Sequence, residues 1–146
     1  MSHFTSLELQ ISDRDSLIAG LQAIGFKDIE IHANGSLMNT YWKSMNEPTT
    51  ANVIVRCPNN QGSIGRSDVG FVLVDGKYQM ICDEYELRKG MTWSSQKEFT
   101  TAVKIEYGVA VATKAAIAKG MQVTRERTND GRVQLKMIPQ KVVSRR

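Results

Sequence analysis

The chain has 146 residues, of which 41% are hydrophobic and 23% are charged, and its net charge is +4. This length suits one domain that buries a core without disulfide or metal staples, and no apolar run approaches the ~20 residues that a membrane helix needs. The N-terminal sequence lacks the basic and apolar regions of a secretory signal, so we expect a cytoplasmic protein without membrane contact.

The positive charge is concentrated near the C-terminus. Residues 1–113 contain 10 basic and 13 acidic side chains, a net charge of −3, whereas residues 114–146 contain 9 basic and 2 acidic side chains, a net charge of +7. Such asymmetry is typical of proteins that bind a polyanion or an acidic protein. It also arises when a solvated face is followed by a tail, and composition alone leaves both explanations open.

The first third of the chain predicts a strand, a helix and a second strand. Alternation over residues 4–11 indicates the first strand, and Ser12 is placed to cap the following helix. Gly25 is placed to end that helix, and the second strand then runs from Phe26 to a turn signal at residues 34–35. The helix carries one apolar stripe at helical spacing, made of Leu17, Ile18, Leu21 and Ile24.

The pattern dissolves over residues 36–51, which mix polar residues with two aromatic ones and a proline. We expect an irregular excursion there, with a short strand around residues 38–42. Residues 52–57 are rich in β-branched side chains, which favour a strand, and Pro58 stops it.

A polar, glycine-rich loop follows at residues 59–68. Two strands, at 69–74 and 77–83, then flank Asp75–Gly76, a dipeptide that favours the tight turn of a β-hairpin. This is the clearest hairpin signal in the chain.

A second helix begins with Ser95 and Glu98, which form a capping-box pair, and it extends to about Lys119. Its second half, GVAVATKAAIA, is rich in small residues. We expect these residues to pack closely against the first helix or the sheet, although a subunit interface would use them equally well.

The chain ends in a basic hairpin and a short tail. Gly120 closes the second helix, and strands at 121–127 and 132–138 are joined by the turn residues 129–131. Pro139 ends the regular structure, and residues 139–146 form a basic tail.

These elements predict a single α+β domain over residues 1–138, in the order β-α-β-β-β-β-α-β-β. Hairpins enforce antiparallel neighbours, and each helix carries the chain between strands. We therefore expect one mainly antiparallel sheet with two helices packed on one face.

The residues most often used in catalysis form no recognisable constellation. His3 lies at the chain start, and His32 lies beside the predicted turn, in neither case near a nucleophile and an orienting carboxylate. Cys57 and Cys82 lie in strand-like runs, where a free cysteine behaves as a small hydrophobe, and no Cys/His spacing indicates zinc. We predict no catalytic residue, no metal and no cofactor.

Two further features favour a structural explanation over a chemical one. The acids Asp83, Glu84 and Glu86 follow a strand, and we interpret them as a solvated strand end rather than a metal or acid–base site. The loop at residues 62–67 has glycines that could expose backbone amides to a phosphate. It lacks the lysine–serine ending of a P-loop, and no predicted helix follows it.

Cationic side chains and two tryptophans are the candidate contact residues. Alternation places Arg125 and Arg127 on one face of their strand, and no aromatic residue interleaves the cations to stack on bases. Trp42 and Trp93 flank irregular segments and could anchor an interface or cover the edge of the core. Candidate contacts to nucleic acid or to a partner are Arg125, Arg127, Arg132, Lys136, Lys141, Arg145 and Arg146.

A set of residues spread over residues 1 to about 137 forms a recognisable pattern, namely Met1-Ser2-His3-Phe4, Asp15-Ser16-Leu17, Leu21, Gly25-Phe26, Asp68-Val69-Gly70-Phe71, Tyr78, Phe99, Tyr107, Gly120, Asp130-Gly131 and Leu135. In these residues the chain resembles the hypothetical chloroplast reading frame thirty-five family of plastids and cyanobacteria. That family belongs to a broader domain-of-unknown-function group found also in bacteria and phages. It has no established activity, so the resemblance implies a fold and no site residues. Two departures stand out, a longer excursion over residues 36–68 and a basic extension after Pro139.

The sequence therefore predicts a non-catalytic accessory or assembly protein that binds another macromolecule, through a protein partner or self-association. Two alternatives remain open. The first is a nucleic-acid-associated protein that uses the basic hairpin and tail, and the second is a small-ligand binder or enzyme that uses the loop at residues 62–67.

Overall fold

A computed structural model describes residues 4–40, 48–60, 64–89, 93–130 and 132–139. Over these residues the chain forms a five-stranded sheet, a two-stranded sheet and three α-helices, which confirms the predicted α+β class. The helices are α1 (Arg14–Ile24), α2 (Glu84–Lys89) and α3 (Gln96–Ala118). The strands are β1 (Phe4–Ile11), β2 (Ile29–Leu37), β3 (Thr50–Val55), β4 (Val69–Val74), β5 (Lys77–Asp83), β6 (Met121–Arg127) and β7 (Val133–Pro139).

The large sheet has the strand order β1-β5-β4-β3-β2, and every neighbouring pair is antiparallel. The hairpin β4–β5 lies inside this order, with Val74 paired to Lys77. Asp75 and Gly76 both have positive φ, 51° and 78°, as the predicted tight turn requires.

The C-terminal hairpin forms a sheet of its own, whereas the sequence analysis assigned all strands to one sheet. Met121 pairs with Pro139 and Arg127 with Val133, and β6–β7 packs against α3. Helix α3 has 23 residues and is therefore about 34 Å long, while the six-residue strands β3 and β4 span about 20 Å. The hairpin follows this helix directly and packs on it instead of joining the large sheet.

Helix α1 supplies the main layer over one face of the large sheet. Its side chains Leu17 and Leu21 are fully buried, and they share one core cluster with sheet residues such as Phe71 and Met80. Full burial of a large aliphatic or aromatic side chain stabilises a fold by about 1.5–3 kcal/mol. A smaller cluster on the opposite face of the sheet contains Met38, Ala51 and Ile54.

Helix α3 crosses α1 at a glycine. A β-carbon at Gly20 would lie 2.9 Å from the backbone nitrogen of Tyr107, so a side chain there would collide with the α3 backbone. The Tyr107 hydroxyl accepts hydrogen bonds from the backbone N–H groups of Ser12 and Asp13, at 3.3 and 3.1 Å. The N-cap of α1 is Asp13 rather than the predicted Ser12, and the Tyr107 hydroxyl bonds to the backbone N–H groups of the cap and of the residue before it.

The predicted start of the second helix and the predicted end of the first are both found, and only the capping box differs in detail. The Ser95 hydroxyl accepts from the Glu98 N–H at 3.1 Å, as a capping residue should. The Glu98 carboxylate accepts from the N–H of Ser94, one residue earlier than the usual reciprocal bond. Gly25 ends α1 with φ +122°.

Strand β2 continues through the predicted turn at residues 34–35. Its pairing with β3 shifts between Ile31 and Ser36, and the side-chain amide of Asn52 donates to the carbonyl oxygens of His32 and Ala33 in that interval. The side chain thus replaces ladder hydrogen bonds that the bulge removes. The predicted excursion over residues 36–51 consequently begins and ends in strands, and its residues 41–47 lie outside the described residues.

Arg56 connects β2, β3 and the segment before β4. Its Nε and Nη2 donate to the two carboxylate oxygens of Glu30, both at 3.0 Å, and its Nη1 donates to Asp68 Oδ2 at 2.8 Å. Asp68 is 0% exposed and also accepts from the backbone N–H groups of Asn39 and Cys57. Hydrogen bonding to Arg56 holds the pKa of Glu30 below its usual range.

Removing the Arg56 cation should destabilise the fold. We expect Arg56→Met to lower the free energy of unfolding by about 3 kcal/mol, because it leaves the Asp68 carboxylate buried without its counter-ion. Urea denaturation measures this difference.

The matched control is Arg14→Met, since Arg14 pairs with Asp15 at 3.5 Å with both side chains mostly exposed. That change should stay within about 0.5 kcal/mol of the wild type. Equal stabilities for the two variants would contradict the structural role of Arg56.

Candidate binding surface on helix α3

Helix α3 borders two surface grooves. The groove between α1 and α3, here the α1 groove, has a volume of about 420 Å³. The groove between α3 and strand β7, here the β7 groove, has a volume of about 600 Å³. Val109 lines both grooves and separates them. The α1 groove is lined by Ala19, Ala23, Glu106, Val109, Ala110, Thr113, Lys114 and Ile117, and the β7 groove by Lys104, Ile105, Gly108, Val109, Arg132, Val133 and Leu135.

Helix α3 begins in the core, and apolar side chains farther along it are exposed. Phe99 and Val103 are fully buried in the main core cluster. Farther along the helix Ala116 is buried, but Ile105 is 38% exposed and Ile117 is 65% exposed. Ile105 in the β7 groove and Ile117 in the α1 groove therefore remain partly in contact with solvent.

Gly108 lies on the floor of the β7 groove, in the middle of α3. A glycine inside a helix costs about 1 kcal/mol relative to alanine. The close crossing of α1 and α3 explains the glycine at position 20. At Gly108, by contrast, a β-carbon would have no atom of the described residues within 4 Å, apart from the neighbouring turns of α3 itself. Packing within the described part of the chain does not account for this glycine.

An ion pair ties the hairpin to α3. Arg125 Nη1 lies 2.6 Å from Glu106 Oε1, and hydrogen bonding to this carboxylate raises the pKa of the Arg125 guanidinium. Arg132 pairs with Asp130 at 3.2 Å at the exposed hairpin turn. Arg125 was predicted to contact nucleic acid or a partner, and the structure shows its charge compensated by Glu106.

The predicted cationic residues do not share one face of the hairpin. Arg127 pairs with Val133, and Lys136 pairs with Thr124. Because side chains alternate along a strand, Arg127 lies on the same side of the hairpin as Arg125, and Lys136 lies on the other. The candidates Lys141, Arg145 and Arg146 lie outside the described residues.

Of the two tryptophans, Trp93 can be placed and Trp42 lies outside the described residues. The Trp93 ring packs edge-on against Phe99, with ring centroids 5.1 Å apart and an interplanar angle of 81°. It lies against the main core cluster and is half-buried. Its position is that of a residue covering the core edge, the second of the two predicted roles.

Asp83 and Glu86, at and just after the end of β5, are buried, which corrects their interpretation as a solvated strand end, whereas Glu84 between them is exposed. Asp83 is 2% exposed and Glu86 is 0% exposed. Asp83 Oδ1 accepts from the Glu86 N–H at the start of α2, at 3.2 Å, and Arg66 Nη2 lies 2.9 Å from Glu86 Oε1. Alternation cannot reveal this burial, because the ion-pair partner comes from a loop 20 residues away.

The glycine-rich loop packs directly on these acids. Gly65 has φ +80°, and a β-carbon there would lie 2.0 Å from the Glu86 carbonyl oxygen, so α2 approaches the loop at a position where only glycine fits. The loop and the acids are therefore adjacent, as the ligand-binding alternative expected. The Arg66 cation and the Glu86 anion are bonded to each other, and residues 61–63 lie outside the described residues.

The remaining reactive side chains are occupied or shielded. His32 Nε2 lies 2.7 Å from Glu30 Oε1, and His3 is outside the described residues. Burial raises the pKa of the Cys57 and Cys82 thiols to about 12. The described residues contain no group of three or more His, Cys, Asp or Glu side chains that could hold a metal ion.

The sequence analysis missed the β7 groove and its residues Lys104, Ile105 and Gly108. One sequence signal was available, namely a glycine in the interior of a long predicted helix. The other side of the groove comes from β7, and hydrophobic patterning does not show that β7 packs beside α3.

Comparison with known proteins gives a family and no characterised relative. The family model described as "Protein of unknown function (DUF1257)" matches residues 21–136, a span that includes α3, β6 and the first half of β7. No curated protein and no solved structure matches the chain. Among the described residues, no helix is long and apolar enough to cross a membrane.

The two cysteines should react slowly with maleimide in the folded protein. At pH 8 a thiol with a pKa of about 12 is almost entirely protonated, and the thiolate is the reactive form. We expect both cysteines to be labelled quickly in about 8 M urea, which unfolds small domains, and only slowly without urea. Mass spectrometry measures the labelling of each cysteine. A cysteine that labels equally fast in both conditions would reopen a nucleophilic role for that residue.

Proposed function

This chain belongs to the DUF1257 family of proteins of unknown function, and we propose that it is a non-catalytic accessory or assembly protein that binds another protein through helix α3. The observation that carries this proposal is Gly108. It occupies a helix interior at an energetic cost that packing within the described residues does not offset. A partner that closely approaches the α3 backbone would account for it.

The surroundings of Gly108 support the same proposal. Ile105 and Val109 present aliphatic side chains to the β7 groove, opposite Val133 and Leu135. Apolar pockets that exclude water when filled supply most of the binding energy in protein interfaces. A partner side chain placed over Gly108 would contact residues from both walls of the groove.

Finer parts of the proposal come from the sequence. We propose a cytoplasmic location and, on the strength of the motifs described above, a relation to the plastid and cyanobacterial chloroplast reading frame thirty-five family. A plastid, bacterial or phage origin fits those motifs equally well.

The two alternative functions, nucleic-acid binding and small-ligand binding, would use different residues from the protein-binding proposal. Nucleic-acid binding would use Arg127, Lys136 and the tail, and its affinity would fall steeply with added salt. A ligand site in the loop at residues 62–67 would require Arg66 to leave Glu86. Gly108 takes part in neither alternative, although Arg132 at the edge of its groove is also a candidate nucleic-acid contact, so substitution of Gly108 separates the protein-binding proposal from both.

Filling the groove should abolish partner association without unfolding the chain. Gly108→Leu places a good helix former whose side chain enters open space, so the free energy of unfolding should not fall. We expect cross-linking in native cells, followed by quantitative mass spectrometry, to recover partners with the wild-type chain and to lose them with Gly108→Leu.

The matched control is Leu73→Glu, a substitution at a 48% exposed apolar residue on β4, away from α3. It should retain the partners recovered with the wild type. Identical recovery by Gly108→Leu and the wild type, with both chains folded, would contradict the proposal.

A further inference from the structure

We infer that the β7 groove binds an acidic amphipathic protein segment, one with aliphatic side chains flanked by carboxylates. The inference rests on the proposed protein-binding function and specifies the chemistry of the partner. It follows from the composition of the groove, which combines an aliphatic floor with cations on both walls.

The floor of the groove selects apolar side chains. Ile105 and Val109 on α3 face Val133 and Leu135 on β7 across a space of about 600 Å³. Gly108 removes the side chain that would otherwise divide this space. Aliphatic side chains of a partner would leave water on entering this space, which favours binding.

The walls of the groove select negative charge. Lys104 contributes a cation from α3 and Arg132 contributes one from the hairpin turn, and no acidic side chain is among the residues that line the groove. Within the described part of the chain Lys104 forms no ion pair.

Arg132 is held in place but remains available to a partner. Its backbone carbonyl oxygen accepts from the Thr128 N–H at 2.9 Å, which fixes the end of the turn. Its side chain pairs with Asp130, but the two side chains are 84% and 57% exposed. Exposed pairs of this kind contribute little, so a partner carboxylate can replace Asp130.

The charge and the lining of the β7 groove disfavour two other occupants, a second copy of this chain and a nucleic acid. A symmetric dimer through this groove would bring Lys104 and Arg132 of one copy close to the same cationic surface of the other, and like charges repel. A nucleic acid would meet an aliphatic floor with no aromatic ring among its lining residues, whereas single strands are bound by stacking on aromatic rings.

The test uses the full chain and defined synthetic probes. The acidic probe is a fluorescein-labelled helical peptide with leucines three and four positions apart and glutamates beside them. The neutral probe has glutamine in place of every glutamate. Fluorescence anisotropy should show tighter binding of the acidic probe, and NMR shifts should map it to residues 104–109 and 132–135.

Charge reversal in the groove should act on the acidic probe alone. Lys104→Glu combined with Arg132→Glu should weaken its binding by about tenfold or more and leave the neutral probe unchanged. A third probe with lysine in place of glutamate should bind this double variant better than it binds the wild type. The matched control is Lys97→Glu, an exposed lysine on α3 outside the groove, which should not affect binding.

Several outcomes would overturn the inference. Equal affinity for the acidic and neutral probes would show that charge does not select the partner. If neither probe binds, the groove does not bind an amphipathic segment. A labelled oligonucleotide that binds the chain more tightly than the acidic probe and is lost with the Lys104→Glu and Arg132→Glu double variant would assign the groove cations to nucleic acid. A dimer in sedimentation that dissociates on charge reversal would make a second copy the occupant.

These outcomes are distinguishable from failure of the proposed function. If the neutral probe binds as well as the acidic one, and Gly108→Leu still loses its partners in cells, the groove binds protein and the acidic chemistry is wrong. If Gly108→Leu retains every partner, the protein-binding function itself fails.

Discussion

The close crossing of α1 and α3 is the constraint on which the binding surface depends. Gly20 allows the backbone of α3 to approach at Tyr107, and the Tyr107 hydroxyl then bonds to the start of α1. Successive residues of a helix are about 100° apart around its axis, so fixing Tyr107 against α1 turns Gly108 away from it. The same contact that holds α3 in place therefore presents the floor of the β7 groove to solvent.

The charged residues divide into those that the fold uses and those that it leaves accessible. Arg56 and Arg66 are bonded to the buried carboxylates Asp68 and Glu86, and removing either cation would leave a buried charge without a partner. Lys104 and Arg132 have no buried partner among the described residues. Binding through them would consequently not disturb the interactions that stabilise the sheet.

Local patterns predicted the elements well, and contacts between distant residues account for most of what was missed. The bounds of β1, β4, β5 and β6 match the sequence prediction, because alternation and turn residues are local signals. Helix α2 was missed because six residues show no helical period. Glu86 is buried with its ion-pair partner Arg66, and the hairpin is tied to α3 by the Arg125–Glu106 pair, and a local pattern reveals neither contact.

The most direct test compares two glycine-to-alanine substitutions by urea denaturation. If packing requires Gly20 but not Gly108, Gly20→Ala should lower the free energy of unfolding by about 1–3 kcal/mol, because its β-carbon collides with the α3 backbone. Gly108→Ala should raise the free energy of unfolding by about 1 kcal/mol, because alanine favours the helix and its methyl group meets open space. Destabilisation by Gly108→Ala comparable to that by Gly20→Ala would contradict the account, since the fold itself would then require the glycine that we assign to a partner.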